Sequence, residues 1–513
     1  MPEDTKGDYK SLDPVQDAMG TMGKWQIISI IAILFVNFPP AWRQLSNGFL
    51  SPDKLQYTCV SPKTASYSNN SCMAYVNDNI TEECTQFKYD ETIFQSTYIS
   101  EWNLVCDKQY LASLIQTLTM LALLTGNMTF GVLADKIGRK IPLMIAVIVQ
   151  TVAGVLSTFM PSYPLFIVLK FIADVATGGT MLVSFVIIME IIGTEWRSKI
   201  SMLFHVPFLL GNLSVPVIAY LTRTWRGYTL ATSIPSIILW SYYWLVPESP
   251  RWLLAVGKTE RAKEILKAAA RKNGISMDKV EAAIESHENQ MNKEVNDASE
   301  RTYGLCDLLK TPNLRKTTIC LVVNWVAVGF NFFGVNQYLS QLGGDIFMNY
   351  IISAVILLPA LLIVYFLIGR ISRLKILIAG DLLSGISVLL LIFFDKSSVQ
   401  IYLASLGLSG SMVGFVTLYL YTGEVFPTVV RNVGMGLCSV LSKFASMIAP
   451  FITAMGSSLF WLPPLFYGVI MIISAGLCLF LPETMGMKLP DTIEDAENFR
   501  RKKKPIQLES VRL

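Results

Sequence analysis

The chain has 513 residues, 52% of them hydrophobic and only 16% charged, with a mean hydropathy of +0.47 and a formal net charge of +4. Soluble proteins carry about 25% charge, so most of this chain belongs in lipid. Two histidines argue against a histidine-rich metal centre, and the small net charge argues against a nucleic-acid surface. With no GxxxxGK[ST] loop to bind a nucleotide, neither metal, cofactor nor ATP chemistry is expected.

In chain order, residues 1–24 are polar and mixed in charge, with no evident cleavable signal. Apolar runs of spanning length then recur about twelve times, near 25–45, 109–133, 141–160, 164–192, 198–221, 228–247, 317–338, 346–369, 374–394, 399–422, 432–455 and 461–481. In lipid each must be a helix, because every backbone group needs an internal partner. Basic residues set the orientation. Segment 248–316 carries thirteen Lys and Arg, the loops 135–140 and 370–375 are basic, and the tail holds Arg500 to Lys504. The opposite connections are poor in basic residues apart from Arg223 and Arg226. Both termini and the 248–316 linker are therefore expected in the cytoplasm. The units are a 1–24 N-terminus, a 25–247 first half containing an outer loop 47–108, the linker, a 317–481 second half and a 482–513 tail.

The outer loop holds Cys59, Cys72, Cys84 and Cys106. Four cysteines outside the cell suggest two disulfides, in any of three pairings. The loop also holds two glycosylation sequons, at Asn69 and Asn79, whereas the matches at Asn127 and Asn212 fall inside apolar runs. The other four cysteines read as packing residues. In the linker, Thr259 to Gly274 has acidic residues early, basic residues late and a glycine stop, the pattern of a short amphipathic helix.

The chain repeats itself weakly. Gly138-Arg139 matches Gly369-Arg370, Glu190 and Arg197 match Glu424 and Arg431, and Pro247-Glu248 matches Pro482-Glu483, at offsets of 231, 234, 234 and 235 residues. Two six-helix halves in parallel repeat are the architecture of major facilitator transporters, with the substrate site between the halves near the membrane midplane. The fold class expected is an all-α membrane protein of twelve helices. Each repeated motif sits at a cytoplasmic helix end. Asp135, Arg139, Glu190, Arg197, Glu248, Arg251, Arg370, Glu424, Arg431 and Glu483 are read as a gate that holds this side closed and separates when the halves rock. Asp135 aligns with Phe366 in the second copy, so the gate is asymmetric.

The motifs resemble a known family. Gly131 to Lys140 looks like the major facilitator loop between helices 2 and 3. The segment Pro247-Glu-Ser-Pro-Arg-Trp-Leu253 is shared by organic ion transporters and sugar porters. The cysteine-bearing outer loop, Glu101-Trp-Asn-Leu-Val-Cys-Asp107 and Tyr421-Thr-Gly-Glu-Val-Phe-Pro-Thr-Val-Val-Arg431 resemble the organic cation/anion/zwitterion transporter family over residues 25–497. The loop here is smaller than the six-cysteine version of many members. The resemblance implies a multi-pass plasma-membrane glycoprotein, not an enzyme. It implies that the protein moves small organic ions, with an exchange substrate or counter-ion as a further partner and the lipid bilayer as its surroundings.

Lys443 lies about 18 Å along its helix from Arg431, near the middle of a ~30 Å hydrocarbon layer. A charge there is costly and marks a candidate site. By resemblance it stands where cation carriers have aspartate and where anion or zwitterion carriers have arginine. The bland reading is a lysine paired inside the protein. Lys170 and Asp174, four apart, read either as a self-neutralising pair or as a place where Asp174 receives a substrate ammonium. The helix-8 lysine of many anion transporters is absent, with leucine in the stretch Leu358 to Leu361. Phe332, Phe333, Phe415, Tyr419 and Phe208 match aromatic cavity positions, and their π-faces can hold ammonium groups. Trp42-Arg43 is read as an interfacial anchor and His205 as structural. The leaning is to organic anions or carnitine-like or amino-acid-like zwitterions. An organic cation carrier is the main alternative, a non-transporting substrate sensor a remote one, and a sugar porter a weaker fourth.

Overall fold

The computed structural model describes residues 14–52, 55–61, 72–77, 80–285, 304–394, 396–485, 487, 490 and 492–498. Among them, ten helical stretches are long and apolar enough to cross a membrane. In chain order the spans are α1 (Lys24–Leu50), α2 (Gln109–Ile137), α3 (Lys140–Ser157), α4 (Tyr163–Ile191) and α5 (Arg197–Leu203 continued by Val206–Thr222). The first half closes with α6, a series of Trp225–Ser233, Ile234–Ser241 and Tyr242–Leu245. The second half comprises α7 (Pro312–Tyr338), α8 (Ile346–Leu367), α9 (Arg373–Leu390), α10 (Ser397–Val425), α11 (Arg431–Met455) and α12 (Leu462–Cys478).

The two helices missing from the ten are α6 and α12. Pro235 breaks the α-helical ladder of α6, because proline lacks the N–H, and its middle becomes 3₁₀. In α12, Pro463 and Pro464 fill the first turn, where no donor is needed, and the helix is 17 residues long. Within the second half α7 lies against α11. A Cβ at Gly329 would sit on the Ser442 hydroxyl, so only glycine permits this approach.

On one face, residues after α1 form a small lobe. Strand β1 (Tyr57–Ser61) pairs antiparallel with β4 (Gln86–Tyr89), and β2 (Met73–Asn77) with β3 (Ile80–Glu83). Of the three pairings open from sequence, the disulfides are Cys59–Cys84 and Cys72–Cys106, a crossed pair. Asn69 and Asn79 lie outside the described residues. The free cysteines Cys320, Cys438 and Cys478 are buried and Cys306 is exposed.

The lobe is clamped to the first half. Arg226 donates from Nη1 and Nη2 to the two Glu101 oxygens, at 2.7 and 2.8 Å, and lies over the Trp225 ring. That explains a basic residue on the base-poor face: Glu101 neutralises it. Hydrogen bonds from Arg226 hold the Glu101 carboxyl below the usual carboxylate range. Stabilisation from a lowered acid is present above the ordinary carboxylate range and disappears as pH falls through the lowered value. The thermal midpoint of the wild type should therefore exceed that of Glu101→Gln by a constant margin near neutral pH. The margin should shrink in acid; a pH-independent margin refutes the clamp.

On this same face the halves meet through aromatic rings. Phe49 at the end of α1 stacks on Phe347 and Tyr350 at the start of α8, with centroids 5.6 and 4.5 Å away. Phe94 of the lobe and Tyr220 of α5 close on Phe347 at 5.6 and 5.3 Å. A Cβ on Gly48 would overlap the Tyr350 hydroxyl. The lobe face is thus sealed across the two halves.

On the opposite face, the helix Thr259–Asn273 ends at Gly274 in the left-handed conformation, φ +73°. Its Asn273 accepts from Trp25 N at 2.9 Å and donates to Met19 O and Gln26 Oε1, which docks the linker on the start of α1. The last described helix, Ile493–Glu497, docks on the other half. Glu497 accepts from the backbone N–H groups of Asn313 and Leu314, capping α7 with a carboxylate.

Candidate functional site: Lys443 and the interface between halves

Three residues on α11 define a stripe: Val440, Lys443 and Met447, at helical spacing. Val440 and Met447 pack with Met120, Leu123 and Leu124 of α2, in the opposite half. Thr117 of α2 also donates to Met447 O at 2.8 Å. Lys443 therefore faces the interface between halves. Its Nζ lies 5.0 Å from the centre of the Phe333 ring, and among the described residues it takes part in no ion pair. The bland expectation of an internally paired lysine is not met.

The predicted aromatics fall into two groups. Phe332 and Phe333 on α7 meet edge to face at 5.4 Å beside Lys443. Phe415 and Tyr419 on α10 meet at 5.0 Å, and Trp325 of α7 packs on Tyr419 at 4.5 Å. Trp325 shares α7 with Phe332 and Phe333 and packs on both Phe415 and Tyr419, so it joins the two groups. Phe208 is half-buried and packs on the core that includes Phe332. Two further residues adjoin this group: Trp325 of α7, and His205, which crosses from the first half to lie 6.0 Å from Phe415 and 6.3 Å from Tyr419. Nothing in local sequence distinguishes them from packing residues.

Asp174 is not open to substrate here. It is 1% exposed, with Lys170 Nζ at 2.9 Å, Arg43 Nη1 at 3.6 Å and a hydrogen bond from Thr119. The self-neutralising reading of Lys170–Asp174 fits this geometry, extended by a second cation. Arg43 is correspondingly not an interfacial anchor. It turns into the first half and donates to Gln150 O and Ser233 Oγ, because a buried carboxylate stabilises it there. Trp42 donates to Ser214 Oγ.

The repeated motifs act as staples within each half. In the first, Arg139 pairs with Glu190 at 2.9 Å and donates to Ala134 O, five residues back. Asp135 adds a contact to Arg139 at 3.0 Å but is 76% exposed, so it adds little. Glu248 accepts from the N–H groups of Arg139 and Lys140 and so caps α3, while Arg251 donates to Glu190 O. In the second half the cation is Arg373, not Arg370. Arg373 pairs with Glu424 at 3.3 Å and donates to Ile368 O, again five residues back. Glu483 accepts from Ser372, the N-cap of α9, and Thr484 bonds Glu424. Arg370 is exposed. Arg197 opens α5, and Arg431 opens α11 and donates to Phe426 O.

This corrects the repeat register. Arg139 and Arg373 are 234 residues apart, as are Glu190 and Glu424. The Gly-Arg match failed because α8 ends at Leu367, about a turn sooner than α2 does in that register. Asp135 then corresponds to Gly369 rather than Phe366, and the second copy still lacks the acid. The ion pairs Arg139–Glu190 and Arg373–Glu424 lie within halves, not across them, while the lobe face is sealed. Arg373→Ala leaves a mostly buried carboxylate short of its cation and should lower stability by about 1–3 kcal/mol. Arg370→Ala should stay within about 0.5 kcal/mol. Thermal unfolding of both variants separates the two registers.

Two six-helix halves meeting at Lys443, which takes part in no ion pair among the described residues, have the architecture of a membrane carrier of the major facilitator type. The family "Sugar (and other) transporter" matches residues 46–495. "Solute carrier family 22 member 6" of Pseudopleuronectes americanus is 36% identical over 423 residues, covering 82% of this chain and 75% of that protein. "Organic cation transporter protein" of Drosophila melanogaster is 31% identical, covering 86% and 81%. "Solute carrier family 22 member 3" of Rattus norvegicus is 34% identical, covering 80% and 73%. Among solved structures, the partially occluded inward-open xylose transporter XylE from E. coli superposes with a TM-score of 0.66 at 16% identity, covering 91% of this chain and 100% of that one. The chain belongs to solute carrier family 22, the organic ion transporters within the major facilitator superfamily. It is a multi-pass membrane protein whose substrates are small organic ions.

Proposed function

We propose that this carrier moves organic anions or zwitterions, of carnitine-like or amino-acid-like chemistry, by alternating access, with Lys443 meeting the substrate carboxylate. The observation that supports this reading is the position of Lys443: between the halves, against an aromatic face, with no carboxylate paired to it among the described residues. In a site of low dielectric such a cation attracts a carboxylate and repels a simple ammonium ion. Phe332, Phe333, Phe415, Tyr419 and Phe208, with Trp325 and His205, supply flat walls that tolerate varied organic shapes. The aromatic faces also favour a second reading, an organic cation carrier. Asp174 is a poor anchor for that cation, since Lys170 and Arg43 already engage it.

In this proposal the linker face is cytoplasmic and the lobe extracellular, in the plasma membrane. Asp135, Arg139, Glu190, Arg197, Glu248, Arg251, Glu424, Arg431 and Glu483, with Arg373 in place of Arg370, keep the cytoplasmic helix ends of each half together. Each half then rocks as one body, with an exchange substrate or counter-ion able to take the return path. The test is uptake of labelled anion, cation and zwitterion panels by wild type and Lys443→Asp. Anion and zwitterion uptake should fall and cation uptake should rise. Unchanged selectivity at normal surface expression rejects Lys443 as the selector.

A further inference from the structure

Among the described residues, the second half contains a buried acid that is in no ion pair. Asp381 on α9 is fully buried, and its Oδ2 accepts from Asn324 Nδ2 of α7 at 2.9 Å and Ser474 Oγ of α12 at 3.0 Å. Cys478 Sγ lies 4.0 Å away. Its Oδ1 is buried and has no hydrogen-bond partner, and the same holds for Asn324 Oδ1. From α10, Gly414 approaches so closely that a Cβ there would stand 3.0 Å from Oδ1. Four helices thus meet at one carboxyl group.

The surroundings are neutral on every side. Spanning helix α12 contains no charged residue, and its titratable neighbours are Cys478 and Tyr467, the latter bonded to Thr453 and Ala449 O. On α7 the nearby titratable group is Cys320, one turn from Asn324, and Lys316 and Arg315 are eight and nine residues away. On α10 the only charged residue is Glu424, which Arg373 holds. Its tyrosines nearest Gly414 are Tyr419, packed on Trp325, and Tyr421, bonded to Pro482 O. On α9 itself, Arg373 and Lys375 lie eight and six residues away, and among the described residues Asp381 is in no ion pair. Asp174, a buried acid of the first half, has two cations. An ionised Asp381 would carry its desolvation cost against two neutral donors. A proton on Oδ1 removes the charge at a buried oxygen that no donor reaches. A hard metal cation would need six or more oxygen ligands, far beyond these two.

We propose that Asp381 is a proton-binding site, and that its proton occupancy sets the packing of α7 and α10, the helices that carry Phe332, Phe333, Phe415 and Tyr419. The step is a single protonation of the carboxylate by solvent. It rests on the carrier fold and not on the charge of the substrate. The test is infrared pH-difference spectroscopy and thermal unfolding of the purified full-length chain. Wild type should show a carboxylic-acid carbonyl band that titrates and a thermal midpoint that moves with it. Asp381→Asn should lose that band and that pH dependence. Ser474→Ala, which removes a donor to the anion, should shift the band's midpoint to higher pH, and it serves if Asp381→Asn does not fold. A titrating band and midpoint unchanged in Asp381→Asn, or unmoved in Ser474→Ala, overturn the proposal. So does a wild-type midpoint that follows sodium concentration at fixed pH and ceases to do so in Asp381→Asn.

Discussion

Gly48→Val should leave the carrier folded and strand it with its lobe face unable to close. Position 48 has no room for a side chain only when Phe49, Phe347 and Tyr350 are stacked, since even a Cβ would overlap the Tyr350 hydroxyl. Overpacking of this kind costs about 1–3 kcal/mol. The cost falls on the sealed state alone, so the sealed population should drop about 5–150-fold and turnover with it. Substrate binding from the lobe side should persist. Tyr350 is held by a hydrogen bond to Asn336 O at 2.8 Å, so Tyr350→Phe removes that tether and the nearest obstacle, leaving the ring carbon Cζ at 2.7 Å. In the pair Gly48→Ala with Tyr350→Phe, part of the lost turnover should return, a coupling that a double-mutant cycle measures. Equal loss of binding and turnover would instead indicate misfolding.

Lys443→Asp should produce the largest change in selectivity. One unit charge about 4 Å from another, at an effective dielectric of about 20, is worth about 4 kcal/mol, and reversing its sign roughly doubles the change. Even if half of that is lost to relaxation, anion uptake should fall by more than about a hundredfold. Lys443→Arg keeps the charge and adds a bidentate fork, so anion uptake should stay within about tenfold of wild type. A pair of variants with equal activity would show that the charge at 443 does not act on substrate.

The twelve helices and the two-half plan were legible because a membrane enforces them: long apolar runs admit one backbone solution. The Glu190–Glu424 and Arg197–Arg431 matches were legible for a related reason, as charges at helix ends are few and keep their spacing. Arg373 was missed because a glycine beside Arg370 offered a sequence match, whereas the geometry depends on where α8 stops. The partners of Asp174 were half legible. Lys170 sits one turn away on the same helix, but Arg43 arrives from another helix 131 positions earlier in the chain. Asp381 escaped notice for the same reason: its neighbours come from α7, α10 and α12, and no local pattern marks a carboxyl that lacks a cation. The disulfide pairing depended on the two strand pairs of the lobe, which cysteine spacing alone does not encode.

The Thr259–Asn273 helix is moored to α1, and the Ile493–Glu497 helix to α7. Each is a passenger on one half, away from Lys443 and the aromatic walls. A dye on each would make the protein its own protractor: energy transfer between the two passengers would report the angle between halves during turnover, with the substrate path left unlabelled.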